Sequence, residues 1–230
     1  MTSMKAPDRR ILIEDFYENV SPPSPEEEEL LRRLEKTFDE ETAREEIDAL
    51  RFSRDLHGIE LLKRYLHSPT VNVDGIVAGY VGSGTKTVLP HMAKAKVDIR
   101  LVPHMQTEEI IQKFKKHLRD HDFADILVEV HDCYPWSQVS MKEEVVQAMI
   151  RTYQRHGYEP EIWPRTGGSA PFHLFNQPPL SLAFASGGLG HGSRAHSPNE
   201  YIVVKGIRDL EKSIATFLYE YAYGKVCNAR

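Results

Sequence analysis

Ala93-Lys94-Ala95-Lys96-Val97-Asp98-Ile99-Arg100-Leu101-Val102-Pro103 is the stretch that decides the fold. Ala93, Ala95, Val97, Ile99 and Leu101 fall on one face of a strand, and Lys94, Lys96, Asp98 and Arg100 on the other, because successive side chains of an extended chain point to opposite sides. Alternation this clean describes a sheet with one face on a core and the other toward solvent. Arg100 stands on the polar face at the strand's end, just before Pro103. A solvated charge ladder accounts for that position. So does a guanidinium offered to a carboxylate, whose geometry its donor fork matches.

Working outward, Val71 and Val73 alternate with Asn72 and Asp74, and Gly75-Ile76-Val77 continues a second strand. Between the two strands, Gly79 to Thr87 is glycine-rich and nearly spells a phosphate-binding loop. Thr85 separates Gly84 from Lys86, however, and Pro90 follows where a helix would have to begin, so a strand-to-strand connection is the better reading. Downstream, Ile110, Ile111, Phe114 and Leu118 stripe a helix from Thr107 to about His121. Glu108 and Glu109 at its start and Lys115, Lys116 and Arg119 near its end match the helix dipole. Ile126, Val128 and Val130 then alternate with Leu127, Glu129 and His131, which predicts a further strand.

At the N-terminal side, Ile11, Leu12, Ile13, Phe16 and Tyr17 predict a short strand and a loop, broken by Ser21-Pro22-Pro23-Ser24-Pro25. Ser24 with Glu27 three residues on, and Pro25 at the first helical position, form a capping-box start. Leu30, Leu31, Leu34 and Phe38 follow at helical spacing. The charged segment to about Leu56 predicts a second helix or an excursion, and its pairs Glu40-Glu41 and Glu45-Glu46 read as a solvated face, since adjacent helical residues point about 100° apart. Beyond Pro135-Trp136, Ser140 with Glu143 predicts another capping box before a helix striped by Val145, Val146, Met149, Ile150 and Tyr153 and stopped at Gly157. Leu180, Leu182 and Phe184 predict a buried strand, and Ile207, Leu210, Ile214, Phe217, Leu218 and Tyr221 a final helix. Two glycine-rich loops, Gly167-Gly168-Ser169-Ala170-Pro171 and Ser186 to Gly192, flank that strand. The second leads into His196-Ser197-Pro198-Asn199-Glu200, and together they have the look of a ligand-site rim. The change of pattern puts a domain boundary near residues 133–140.

With 230 residues, 40% hydrophobic and 27% charged, the composition is that of an ordinary globular protein. A net charge of -5 and the lack of a long Lys/Arg cluster give no reason to expect nucleic acid. No apolar run approaches the roughly 20 residues of a membrane span, and the first ten residues lack an apolar signal core. Two cysteines, Cys133 and Cys227, are too few for a disulfide framework. A reducing, cytoplasmic setting without a membrane partner is therefore the expectation.

Six stretches, in order, carry a family resemblance: Ile11 to Tyr17, Pro69 to Ile76, Gly84 to Pro90, Ala95 to Pro103, Gly167 to Pro171, and His196 to Glu200. On these the chain resembles the dipeptidase branch of the aminoacylase–carnosinase family of metallopeptidases with two zinc ions. The resemblance implies an α/β protein of two parts. Residues 1–132 are a ferredoxin-like α/β sandwich, the lid or dimerisation domain, without its first strand and most of its first helix. Residues 133–230 are the C-terminal segment of an αβα catalytic domain. It further implies that His196 is a zinc ligand, that Arg100 grips the substrate's carboxylate, and that Thr87 and Ser169 contact substrate. His131 is implied to stabilise the scissile carbonyl, often in the neighbouring subunit of a homodimer joined through the lid. In the family, two zinc ions lower the pKa of a bridging water, a glutamate takes its proton, and the metals and a histidine stabilise the oxyanion.

The chain departs from that pattern in what it lacks. The family's His-x-Asp motif, bridging aspartate and Glu-Glu pair all precede the lid, and no His-x-Asp occurs here. His196 by itself cannot hold two zinc ions, which need three or four protein ligands each, and His191 on the same loop reads as incidental. Two readings follow. One is a fragment of an amide hydrolase, inactive alone, whose partner is a separately encoded N-terminal half. The other is a non-catalytic dimerisation or ligand-binding module derived from the family, which has no need to keep Arg100, His131, Thr87, Ser169 and His196 together. Dipeptides, N-acyl amino acids and N-carbamoyl compounds all place an amide beside a free carboxylate, so Arg100 suits them equally.

Overall fold

The strand pair forms where alternation places it, as β1 (Thr70–Ala78) and β2 (Ala93–Arg100), antiparallel with Val71 opposite Ile99 and Thr70 opposite Arg100. Asp74 interrupts the register between Val73 and Gly75, a bulge of one residue. The computed structural model describes residues 3–227, with side-chain surroundings through residue 224. By its contacts the chain divides into two units: Met1–Pro22 with His67–Trp136, and Pro23–Leu66 with Ser137–Arg230.

In the first unit, Val71 joins Ile11, Ile13, Phe16, Val102, Met105 and Ile110 in a buried cluster, with Val97, Ile99, Leu101 and Phe114 packed partly against it. The apolar face of β2 therefore meets the apolar stripe of α4 (Thr107–Asp120), as expected for a sheet covered on one side. The Ile11 segment contributes one isolated bridge, Lys5 to Ile11, rather than a strand. It then turns so that Ile11, Ile13 and Phe16 all reach the core. Residues 126–130 also depart from expectation, because they pair with no strand among the described residues. Alternation supplies only the two faces of a strand. The ladder needs a neighbour.

The second unit holds α1 (Pro25–Leu34), whose capping box is present: Ser24 Oγ accepts from Glu27 N–H at 3.2 Å, and Glu27 Oε2 accepts from Ser24 N–H at 2.8 Å. After it come α2 (Glu40–Glu46) and α3 (Gly58–His67). Periodicity did not single out α3, yet its Leu62 and Leu66 pack with Leu31 and Leu34 of α1 in a second core cluster. Each such buried leucine contributes about 1.5–3 kcal/mol. Thus residues 23–66, which the sequence groups with residues 1–132, pack in the unit that contains residues 137–230.

In the same unit, α5 (Glu144–Arg155) packs on α7 (Val204–Cys227). The expected capping box is replaced: Glu143 is the N-cap without a side-chain bond, and Ser140 Oγ accepts from Lys142 N–H at 3.2 Å in the preceding turn. Gly157 does end the helix, at φ +80°. Residues 180–185 form no strand, again for want of a ladder partner among the described residues. Leu182 is exposed, and Phe184 stacks on Phe172 with ring centroids 4.6 Å apart. A short helix α6 (His173–Asn176) and the pair β3 (Gly192–Ser193) and β4 (Tyr201–Ile202) complete the unit. Among the described residues no helix is long and apolar enough to cross a membrane.

Candidate functional site

The glycine-rich loop is built onto α5 and α7 by a few polar contacts. The Tyr153 hydroxyl donates to Gly188 C=O at 2.8 Å and accepts from Gly188 N–H at 2.9 Å, and Ser213 Oγ accepts from Leu189 N–H at 3.3 Å. Gly190, at φ +93°, crosses Gly206 so closely that a Cβ on it would lie 2.5 Å from Gly206 O. Two glycines meeting let the loop run against the first turn of α7. From there β3 pairs with β4, Ser193 opposite Tyr201. His196 follows in a left-handed turn (φ +63°), exposed, its N–H 3.4 Å from Glu200 Oε2. His191 lies edge-on to Tyr201, with ring centroids 6.5 Å apart.

Ser169 is exposed on the other loop. Its approach is fixed by Gly168 N–H donating to Thr166 Oγ1 at 3.1 Å and by Gly167, where a Cβ would come 2.6 Å from Cε2 of Tyr65. Before that loop, Arg165 reaches Glu27 of α1 at 2.8 Å, and both side chains are only 12% exposed. Burial pushes the Glu27 carboxyl up, but the bond from Ser24 N–H and the charge and hydrogen bond of Arg165 outweigh it, so its pKa lies below the ordinary 4.5.

A depressed carboxyl pKa makes this pair acid-sensitive. The stability it contributes is fully present above 4.5, the unfolded value, and is lost as pH falls through the lower folded value. Glu27→Gln keeps the capping box and removes the charge. Its deficit in urea midpoint against the parent chain is expected to be largest at neutral pH and to close below about pH 4. A deficit independent of pH contradicts the assignment.

In the first unit, Arg100 ends β2 on its polar face, as the alternation requires, and its Nε donates to Asp98 Oδ2 at 2.6 Å. The Arg100 side chain is 42% exposed, and Asp98 orients its guanidinium. Thr87 is exposed in the irregular connection between β1 and β2. His131 is 80% exposed, with Nε2 3.8 Å from Glu129 Oε2. The structure thus places Ser169 and His196 in one unit and Arg100, Thr87 and His131 in the other.

Among the described residues, no group of three or more His, Cys, Asp or Glu gathers to hold a metal ion. These residues therefore do not by themselves fit a zinc centre. The glutamate pairs have other partners. Glu40 Oε1 accepts from Gly58 N–H at 2.5 Å and its Oε2 lies 2.7 Å from His57 Nδ1, while Glu46 Oε1 accepts from Ser193 Oγ at 2.6 Å. Glu41, Glu45 and Glu46 are exposed, as a solvated face requires, while Glu40 is partly buried against His57 and Gly58. Glu27, Arg165, Glu46 and Tyr153 are the positioning residues that sequence alone did not single out. Glu27 was legible as a cap, Tyr153 as part of a helix stripe and Glu46 as part of a charged face, none of them as a positioning contact.

Comparison with known proteins gives a consistent answer. A family model described as a peptidase dimerisation domain matches residues 22–125. The Cys-Gly metallodipeptidase DUG1 of Saccharomyces cerevisiae is 27% identical over 225 residues, covering 93% of this chain and 45% of its own length. Among solved structures, a metallo-carboxypeptidase of the M20 family from Sulfolobus solfataricus superposes with TM-score 0.81 at 32% identity, over 96% of this chain and 50% of its own. Human carnosine dipeptidase 1 gives TM-score 0.75 at 26% identity, over 96% and 47%. The chain spans about half the length of the curated relatives it matches. It carries the dimerisation domain of the M20 peptidases and is homologous to the C-terminal half of the DUG1 and carnosinase dipeptidases.

Proposed function

We propose that this chain is the lid and site-rim portion of a metal-dependent hydrolase of dipeptides or N-acyl amino acids, and that these 230 residues alone do not turn such substrates over. The observation that carries this reading is the superposition, at 32% identity, on half of a metallo-carboxypeptidase. In this reading residues 1–132, apart from the 23–66 excursion that packs in the second unit, form the lid that joins two copies, and residues 133–230 belong to the catalytic domain. Arg100 receives the substrate carboxylate through its fork. Thr87 and Ser169 hydrogen-bond substrate, and His131 donates to the carbonyl under attack. His196 is one ligand of a zinc ion whose other ligands come from polypeptide beyond these residues. The half-exposed Arg100–Asp98 pair supports the carboxylate role, since exposed ion pairs are weak and exchange readily for a better-placed anion.

The test is an assay of the purified, zinc-loaded chain against Cys-Gly and β-Ala-His. No turnover is expected alone. Turnover is expected when a polypeptide carrying the other half of a relative is co-expressed, and Arg100→Ala should then raise KM. Turnover by the 230-residue chain by itself would overturn the proposal.

A further inference from the structure

The excursion from residue 23 to residue 66 has no role in what has been described, yet it touches the base of both loops that carry Ser169 and His196. We propose that this helical excursion is a buttress that sets the positions of those two loops, with Glu27 and Glu46 as its positioning residues. The inference rests on the reading above that both loops face substrate.

The first tie is Glu27 of α1 to Arg165. Nε and Nη2 of Arg165 lie 2.9 and 2.8 Å from Glu27 Oε1, and Gln138 Nε2 donates to the same oxygen at 3.2 Å. Arg165 stands just ahead of Gly167, which is pressed against the ring of Tyr65 from α3. Trp163, on the near side of Arg165, meets both Tyr65 and Phe38 edge-on, with centroids 6.4 and 5.7 Å away. Backbone entering the Ser169 loop is thus held by a charge on one helix and an aromatic ring on another. Neither contact touches Ser169 itself, so their effect is on where the loop lies.

The second tie is Glu46, at the end of α2, to Ser193 in β3 at 2.6 Å, shortly before His196. Glu46 is itself located by the excursion, because α2 begins at Glu40, whose carboxylate caps α3 through Gly58 N–H. Glu35 Oε1 adds a second cap, accepting from Ile59 N–H at 2.9 Å. With α1 and α3 locked through Leu31, Leu34, Leu62 and Leu66, the two ties share one rigid base. They differ in strength. The Glu27–Arg165 pair is partly buried and charge-assisted, whereas the Glu46–Ser193 bond is exposed.

Hydrogen exchange on the whole chain tests this without metal or substrate, so its outcome is separable from that of the turnover assay. Glu27→Gln, which keeps the capping box, and Arg165→Met should each speed exchange at Gly167, Gly168 and Ser169 by about tenfold or more. The double variant should add nothing further, as for two halves of one contact. Glu46→Ala should speed exchange from Arg194 to His196 by a smaller factor and leave the Ser169 loop unchanged. Amides of α1, α3 and α5 should lose no more protection than the fall in global stability accounts for. Loop exchange that stays at the parent rate overturns the proposal. So does loop acceleration no greater than that of the α1 and α3 amides, which marks a merely structural role.

Discussion

Glu220→Ala is expected to destabilise the second unit by about 1.5–3 kcal/mol, the range for hydrogen bonds to charged groups. Glu220 sits in α7 with its side chain 4% exposed and accepts from Arg151 Nε at 3.1 Å and from Arg155 Nε. Arg151 also donates through Nη2 to Glu144 Oε1 at 2.6 Å and to the backbone oxygen of Glu220 at 3.2 Å. The space for this guanidinium exists because residue 224 is glycine: a Cβ there would lie 2.8 Å from Arg151 Nε. Burial works against the charge of Arg151, but the bonds from Glu144 and Glu220 more than offset it. Arginine cannot escape an unpaired burial by losing its proton. Removing Glu220 therefore leaves Arg151 with Glu144 as its remaining carboxylate and takes one partner from Arg155, whereas Glu220→Gln keeps an acceptor and should lose less. Urea unfolding followed by helical circular dichroism reads the difference, and an unchanged midpoint for the alanine variant refutes it.

What could be read from the sequence was what is local. β2 and α4 announce themselves because Val97, Ile99, Ile110 and Phe114 recur at the period of their own element and pack on one core. The α1 start was visible because Ser24 and Glu27 are three residues apart. By contrast, α3 has its first N–H groups capped by Glu35 and Glu40, which lie 24 and 18 residues away from the groups they cap, so no capping signal stands beside it. Residues 126–130 and 180–185 alternate or run apolar as strands do, yet a strand exists only where a neighbour supplies the ladder. The candidate site shows the same limit. Arg100 could be placed on its face from alternation alone, while the roles of Thr87, Ser169, His131 and His196 came only from the family resemblance. The partnership of Glu27 with Arg165, 138 residues apart, left no trace in either stretch.

Phe16→Ala is expected to destabilise the first unit by about 3–5 kcal/mol, the range for emptying a packed aromatic site. Phe16 is 2% exposed in the cluster of Ile11, Ile13, Val71, Val102, Met105 and Ile110. It occupies a turn rather than a strand, with its N–H donating to Ile13 C=O at 3.2 Å. Tyr17 packs edge-on against it, centroids 5.6 Å apart, while the Tyr17 hydroxyl accepts from Ile11 N–H at 3.0 Å. That brace ties the turn at both ends and limits how far the backbone can collapse into the void, which places the loss toward the upper part of the range. Ile99 and Leu101 pack against the same cluster on either side of Arg100. The cavity should therefore loosen the strand end that presents the guanidinium as well as lower the urea midpoint. Phe16→Leu refills part of the volume and should lose less on both measures. Exchange at the amides of Ile99 and Leu101 checks the coupling: if Phe16→Ala lowers stability but leaves those amides as protected as in the parent chain, the core does not hold Arg100 in place.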